Sequence, residues 1–187
     1  MAWIHTIAPD QADDELAQSY ARLGASSGRL DEIILAHSLR PHILDGHMAL
    51  YKSVLHHRAN QLDPALAEAI GIRVSLVNGC DYCVAHHQRG LGRALADRKT
   101  ISRWLAALRT DGFDDEVFDS RQISALKYAD RLTRAPRAIS RDDVERLRTD
   151  GWSDGEILEI NQVVAYFAYA NRAVLGLGVR LEKSEIG

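Results

Sequence analysis

Both cysteines of this 187-residue chain lie in one short segment, NGCDYCVAHHQ, at residues 78–88. Cys80 and Cys83 are three residues apart, and His87 follows the second cysteine by four. If a helix begins near Cys80, the three side chains share one helical face. The free N–H groups of a first helical turn favour a negatively charged sulfur, and a second cysteine or a nearby imidazole lowers a thiol pKa further. The spacing therefore predicts a reactive thiolate.

A carboxylate on the preceding segment is expected to join this group. An Asp-Pro start and an Asn-Gly stop bound a predicted helix over 64–78, and the next helix must return antiparallel to it. Glu68 lies about ten residues before that turn and His87 about eight after it, so the two side chains should face each other. Glu68 also shares its face with apolar residues, where a carboxylate needs a partner. The predicted arrangement is an orienting carboxylate, a base and a nucleophile.

The rest of the chain has the periodicity of helices. Apolar side chains recur at helical spacing, no segment shows sustained two-residue alternation, and the four prolines fall between the periodic segments. We predict an all-α protein of mostly antiparallel helices, a single domain over 1–187 with the cysteine-bearing hairpin at about 64–95. The other predicted helices cover 11–23, 30–37, 42–57, 100–110, 120–133, 140–149 and 154–175. Leu16 and Tyr20 should share the inner face of the first of these, and Ile43 and Leu44 should point inward from the third. Ser153 and Glu156 form a capping box that opens the last.

Composition and charge argue against several classes of protein. Apolar residues make up 46% and charged residues 26% of the chain, and the formal net charge is −3. These values give no electrostatic case for binding nucleic acid or a membrane surface. The N-terminal segment has no basic start, and the longest apolar run, VVAYFAYA, is too short to span a bilayer. We therefore expect a cytoplasmic protein, in which a CxxC pair is more typical of redox or metal chemistry than of a structural disulfide.

The cysteine pair has other possible interpretations. Buried free cysteines are common and often inert. The two cysteines could also bind zinc together with His87. The fourth ligand would then come from Glu68, His86 or a distant residue, because the sequence has no second CxxC and no His-x-x-x-His motif. Covalent haem attachment needs CxxCH, and a valine follows the second cysteine here. We expect no metal and no cofactor besides a redox-active cysteine pair, with His86 exposed or lining the pocket.

The motif resembles the signature of AhpD-like alkylhydroperoxidases, which belong to the carboxymuconolactone decarboxylase-like superfamily. It consists of Glu68, eleven residues, Cys80-x-x-Cys83, three residues and His87. The segments SLRPHILDGHMALYKSVLHH and NQVVAYFAYANRAVLGLGVRLE resemble the peroxidase-related branch, and the likeness covers most of the chain. The resemblance implies an all-helical fold and a homo-oligomer, a trimer or a hexamer.

The resemblance also implies a function and a role for each residue. It implies a thiol-dependent (alkyl hydro)peroxidase or disulfide oxidoreductase, with a hydroperoxide as substrate and a thiol or a protein as reductant. Cys83 would attack the peroxide and become a sulfenic acid, and Cys80 would resolve that acid as a disulfide. Glu68 and His87 would relay protons. Tyr82 stands where the better-studied AhpD proteins usually have a histidine, and a phenol donates hydrogen bonds but is no base near neutral pH.

Two further functions stay open at this point. The first is a decarboxylase or other lactone-processing enzyme, as in the cysteine-lacking branch of the same superfamily, whose activity would survive the loss of both thiols. The second is a redox-sensing oligomeric adaptor, whose disulfide state would change partner binding while turnover stays slow with every reductant.

Overall fold

The computed structural model describes residues 2–23 and 30–181. Within these ranges the chain forms nine α-helices, two short 3-10 helices (Pro9–Gln11 and Pro136–Ala138) and no β-strand, which confirms the all-α prediction. None of the helices in this part of the chain is long and apolar enough to cross a membrane. The α-helices are α1 Asp14–Arg22, α2 Glu32–Ala36, α3 Pro41–His56, α4 Pro64–Asn78, α5 Asp81–Leu95, α6 Arg98–Ala107, α7 Ser120–Arg134, α8 Arg141–Thr149 and α9 Asp154–Gly176.

Packing divides the chain into two compact units. The first takes the described residues up to Ser53 and from Arg172 onward, and the second comprises Val54–Asn171. The single domain over 1–187, which also covers residues outside the described ranges, stays a prediction. All the residues predicted to do chemistry belong to the second unit.

The first unit has its own apolar core, which α1, α2 and α3 supply. Leu16 and Tyr20 of α1 are buried in it as predicted, together with Leu44 of α3. The Tyr20 hydroxyl donates a hydrogen bond of 2.7 Å to the carbonyl of Ile7. The prediction for α3 was wrong at Ile43, which is exposed although its neighbour Leu44 is fully buried. Consecutive helical residues point about 100° apart, so the two cannot both face one core.

His47 places a titratable ring inside the first unit. It is 4% exposed, and its ring stacks on that of His37 with the centroids 4.7 Å apart. Burial, and secondly the charge of His37, lower the pKa of His47 from 6.5 to about 4. The folded protein therefore keeps this ring neutral at pH values where the unfolded chain would protonate it.

We expect acid to destabilise the fold through His47. Between pH 6.5 and about 4 the unfolded chain binds a proton that the folded protein does not, so stability falls as the pH falls. The loss is up to about 1.4 kcal/mol for each pH unit. Urea denaturation of the wild type and of His47→Gln, each near neutral pH and near pH 5, measures it. The variant should lose less stability on acidification than the wild type, and equal losses would contradict the assignment.

The second unit is built around α4. Asp63 accepts a hydrogen bond of 3.0 Å from the Leu66 N–H, Pro64 occupies the first turn, and Gly79 ends the helix with a φ of 71°. Both ends agree with the predicted start and stop. Every residue over 65–75 is buried, including the polar ones. α4 packs on α5 and α7, so its buried surface extends around the whole helix rather than along a single face.

A buried cation joins α4 to α7. Arg73 is 3% exposed, and its Nε and Nη2 donate to Asp130 at 2.8 and 2.5 Å. Nη2 also donates to Asp111 at 2.7 Å. Nη1 donates to the carbonyls of Leu108 and Thr110 at 3.0 and 3.2 Å. The guanidinium thus donates hydrogen bonds both to a carboxylate of α7 and to acceptors in the segment after α6.

α9 fastens the loop that precedes α4. The Glu159 carboxylate accepts hydrogen bonds from the backbone N–H of Gln61 at 3.0 Å and of Leu62 at 2.6 Å. α9 begins with the predicted capping box, in which Ser153 accepts from the Glu156 N–H at 3.2 Å and Glu156 accepts from the Ser153 N–H at 3.0 Å. The long apolar helix is therefore held at its start and along its first turns.

Candidate active site

The two cysteines lie at the beginning of α5. Cys80 is the residue that precedes the helix, and Cys83 is in its first turn. Both are free thiols and both are buried, with 1% and 4% of their surface exposed. The backbone N–H of Cys80 donates to the carbonyl of Ser75 at 2.9 Å, which carries the chain across the turn from α4. His87 is one helical turn beyond Cys83, so the predicted shared face is present.

The two thiols act on each other's pKa. The hydrogen bond from the Cys83 thiol is the main cause that lowers the pKa of Cys80, and the Cys83 backbone N–H adds to it. The same sulfur–sulfur hydrogen bond, with burial, raises the pKa of Cys83. When the pair loses its first proton, Cys80 is therefore the sulfur that loses it. The sulfur that first becomes a thiolate is the one to which the family resemblance assigns the resolving role.

Glu68 and His87 meet across the α4–α5 hairpin as predicted. The distance from His87 Nδ1 to Glu68 Oε2 is 2.7 Å, and each residue is 7% exposed. A carboxylate at Nδ1 holds the ring proton on that nitrogen, which leaves Nε2 with a lone pair. His87 is thereby prepared to accept a proton in the direction away from Glu68.

Two helix glycines make room for this pair. A Cβ at Gly90, one turn beyond His87, would overlap Glu68 Oε1 and stand 2.5 Å from its carboxyl carbon. A Cβ at Gly71 would overlap the ring of Phe167, whose centroid lies 4.4 Å from that of the His87 ring. Sequence reasoning missed both glycines. A glycine inside a helix costs about 1 kcal/mol relative to alanine, and this cost is the sign that could have marked them as places of close approach.

Tyr82, His86 and His87 form a row of rings. Tyr82 is buried, and its ring lies nearly parallel to that of His86 with the centroids 6.3 Å apart. The His86 ring meets the His87 ring edge-on at 5.0 Å. His86 is half-buried, and the role of Tyr82 and His86 as pocket residues stays a prediction. Over 2–23 and 30–181, no three side chains of histidine, cysteine, aspartate or glutamate are grouped to hold a metal ion.

A cavity of about 240 Å³ reaches Glu68 from its other side. This space is large enough for several water molecules. Burial lowers the pKa of His56 at its rim, and the charge of Glu68 acts in the opposite direction. Glu68 thus touches both His87 and a space suited to water. The lining residues are Leu55, His56, Pro64, Ala67, Glu68, Gly90, Arg93 and Ala94.

α9 contributes an amide that sequence reasoning did not identify. Asn171 is 1% exposed, its Nδ2 donates to Ser75 Oγ at 3.1 Å, and its Oδ1 accepts from Asn78 Nδ2 at 2.9 Å. Hydrogen bonding from its side chain also acts to lower the pKa of Cys83, against the larger effects of Cys80 and burial. The available sign was an asparagine directly after the apolar run VVAYFAYA, since a buried amide needs partners.

The match to a protein family covers the residues that build this site. Residues 41–125 match the Carboxymuconolactone decarboxylase family. The matched range contains α3, α4, α5 and α6, and with them Glu68, both cysteines and His87. None of the curated proteins is similar enough in sequence to match this chain.

Several solved structures share the fold. A peroxidase-related protein from Silicibacter sp. TM1040 has a TM-score of 0.82 and 23% identity, covering 100% of this chain and 94% of its own. The alkylhydroperoxidase AhpD core protein from Ralstonia eutropha JMP134 has a TM-score of 0.81 and 20% identity, over 98% and 94%. The debrominase Bmp8, solved as a cysteine-to-alanine variant with 2,3,4-tribromopyrrole, has a TM-score of 0.75 and 18% identity, over 96% and 91%.

At these identities the structures show a common fold, and the family match adds the segment that carries the cysteines. Residues 41–125 therefore match the Carboxymuconolactone decarboxylase family, and almost the whole chain shares the fold of the AhpD-like structures.

Proposed function

We propose that this protein is a thiol-dependent peroxidase that reduces hydroperoxides through its Cys80–Cys83 pair. The observation that carries the proposal is a pair of buried free thiols at the start of a helix, one turn from a histidine that is paired with a carboxylate. A thiolate is the nucleophile that peroxides require, and a positioned histidine supplies and removes protons. A thiol or a protein dithiol serves as the reductant in this proposal.

The proposed cycle uses two electrons. The Cys83 thiolate attacks one peroxide oxygen, the O–O bond breaks, and the sulfur becomes a sulfenic acid while an alcohol leaves with a proton from His87. The Cys80 sulfur then attacks the sulfenic sulfur, a disulfide forms, and water leaves. One hydroperoxide and two thiols thus give one alcohol, one water and one disulfide. Glu68 steadies the charged ring of His87, and the cavity beside Glu68 connects it with water.

The test is a stoichiometric oxidation of the reduced protein. Titration with hydrogen peroxide or an organic hydroperoxide should remove two thiols per chain and two mass units. Cys83→Ser should abolish disulfide formation, and Cys80→Ser should stop at a sulfenic acid on Cys83 that dimedone traps. Two thiols that stay inert to every hydroperoxide tried would contradict the proposal.

The rate of oxidation should rise with pH because the reacting form of the pair is a thiolate. Because the hydrogen bond from Cys83 lowers the pKa of Cys80, the first proton leaves the pair below the ordinary thiol value near 8.5. The rate should rise with pH up to that lowered pKa and level off above it. Stopped-flow measurement of thiol loss from about pH 5 to about pH 9 checks this. A rate that still rises steeply above pH 8.5 would be the contrary result.

A second candidate is a reductive dehalogenase. The fold shared with debrominase Bmp8, over 96% of this chain, favours it. The same dithiol would supply the two electrons: a carbon–bromine bond becomes carbon–hydrogen, bromide leaves, and the disulfide forms. Incubation of the reduced protein with a bromopyrrole or with a hydroperoxide separates the two candidates. Bromide release without peroxide consumption would favour the dehalogenase over the peroxidase. Lactone decarboxylation by a variant that lacks both cysteines would point to a lactone decarboxylase instead.

The proposed enzyme is a homo-oligomer, a trimer or a hexamer. Three large apolar side chains in the first unit, Leu39, Ile43 and Leu50, are exposed on one side of α3 and the residues just before it. Such a stripe is typical of a surface that a second subunit covers. Light scattering coupled to gel filtration should give a mass of three or six chains, whereas a monomer would contradict this part of the proposal.

A further inference from the structure

Asn171 brings a buried amide to the cysteine pair. It directly follows the apolar stretch VVAYFAYA of α9 and is 1% exposed, so an amide without partners would cost about 1–3 kcal/mol there. Two of its hydrogen bonds go to Ser75 and Asn78. A third interaction is with the sulfur of Cys83, whose pKa the Asn171 side chain acts to lower. The third bond reaches an atom that reacts in the proposed cycle.

Ser75 fixes which end of the amide faces the sulfur. The Ser75 hydroxyl donates its single hydrogen to the carbonyl of Gly71 at 2.8 Å, so towards Asn171 it can only accept. The atom of Asn171 that lies 3.1 Å from Ser75 Oγ is therefore the nitrogen. The donation from Asn78 Nδ2 to Asn171 Oδ1 at 2.9 Å requires the same orientation. An amide nitrogen has two hydrogens, and the second is the donor for Cys83.

Cys83 needs such a donor because it is otherwise the less favourable place for a negative charge. Its hydrogen bond to Cys80, together with burial, raises the pKa of Cys83. The bond from Asn171 acts in the opposite direction and lowers it. An N–H donor stabilises a thiolate more than a neutral thiol, so its effect grows as charge develops on the sulfur.

We infer that Asn171 is a further catalytic residue, whose amide N–H holds the negative charge on the Cys83 sulfur while that sulfur attacks the peroxide oxygen. The inference rests on the proposed function, because it concerns the first step of that cycle. The Cys83 thiol gives its proton to His87 or to the Cys80 sulfur. Cys83 then carries a negative charge beside the amide of Asn171. Asn171 thereby selects Cys83 as the attacking sulfur, although Cys80 has the lowered pKa of the two.

Thiol titration in single-cysteine proteins tests this inference. Cys83 is the only thiol in a Cys80→Ser protein, and Cys80 is the only thiol in a Cys83→Ser protein. Ultraviolet absorbance of the thiolate as a function of pH gives the pKa of each sulfur separately. Asn171→Leu should raise the pKa of Cys83 by at least about one unit, a tenfold loss of thiolate at neutral pH. The same substitution should leave the pKa of Cys80 unchanged.

Two further variants complete the experiment. Asn161→Leu is the matched control, because Asn161 lies in the same helix and donates to the Tyr128 hydroxyl at 3.0 Å; it should leave both pKa values unchanged. Asn78→Ala keeps Asn171 but removes the donor that orients it, so it should raise the pKa of Cys83 by a smaller amount, and it still decides the matter if Asn171→Leu does not fold. An unchanged pKa of Cys83 in Asn78→Ala and in any folded Asn171→Leu protein overturns the inference, and so does an equal shift in Asn161→Leu. The titration contains no peroxide, so its result is independent of whether the peroxidase assay succeeds.

Discussion

Replacing Gly90 with alanine is expected to slow peroxide oxidation of the cysteine pair by about 100-fold, although it removes no reactive group. The added Cβ would overlap Glu68 Oε1 and stand 2.5 Å from the carboxyl carbon. The carboxylate is the far end of a flexible side chain, so it can move while the fold survives. It cannot move without giving up its 2.7 Å hydrogen bond to His87 Nδ1. His87 then loses the group that fixes its proton, and its Nε2 is no longer reserved as the base.

Gly92 offers the matched control on the same helix. A Cβ at Gly92 meets no heavy atom within 4 Å, so Gly92→Ala should keep the oxidation rate. It should also gain about 0.5–1 kcal/mol of stability, because alanine is the better helix former. Thiol loss after mixing with a hydroperoxide measures both rates, and circular dichroism verifies the fold. If Gly90→Ala reacts as fast as Gly92→Ala, Glu68 has no part in the chemistry.

Replacing Arg73 with methionine is expected to lower the free energy of unfolding by about 3–5 kcal/mol. Methionine has similar length, so the cost comes from the partners that Arg73 leaves behind. Asp130 loses its bonds to Nε and Nη2, and the carbonyls of Leu108 and Thr110 lose Nη1. The half-buried Asp130 keeps only Arg134, and the buried Leu108 carbonyl loses its side-chain donor. Both losses are costly, whereas the bond to the exposed Asp111 adds little.

Arg134 provides the comparison for Arg73. It pairs with the same two carboxylates, Asp130 at 2.9 Å and Asp111 at 3.1 Å, but 49% of its side chain is exposed. Solvent-exposed pairs contribute about 0–1 kcal/mol, so Arg134→Met should be nearly neutral. Urea unfolding of both variants gives the two values. Similar losses for the two arginines would show that burial does not determine the cost at this site.

Helix boundaries could be predicted where the capping chemistry is local. The Asp63 cap and the Ser153–Glu156 box were evident in the sequence, and both form. The predicted start of α6 at residue 100 was late, because Asp97 accepts from the N–H of Thr100 at 2.8 Å and starts the helix at Arg98. Missing that side-chain cap, rather than the periodicity, displaced the boundary. Cap residues decide helix ends, and several polar residues near an end compete for the role.

The part of the site that one hairpin builds could be predicted, and the part that α9 builds could not. Glu68 and His87 face each other because they are nearly equidistant from the turn at Gly79, a relation that the sequence displays. Asn171 meets Ser75 across 96 residues of sequence. Phe167 reaches His87 in the same way, by packing of α9 alone. No local pattern encodes which residue of a distant helix arrives at a given sulfur.

The hydrogen bonds that clamp the backbone of Gln61 and Leu62 to Glu159 make hydrogen exchange at those two amides sensitive to the position of α9, which also contacts the cysteine site. Glu159 and Asn171 lie on one continuous helix, twelve residues apart, which is about 18 Å at 1.5 Å per residue. A slide of α9 along its axis would withdraw the amide from Cys83 and release the clamp together. Slow hydrogen exchange at Gln61 and Leu62 therefore records the time that α9 spends in register with the reactive sulfur.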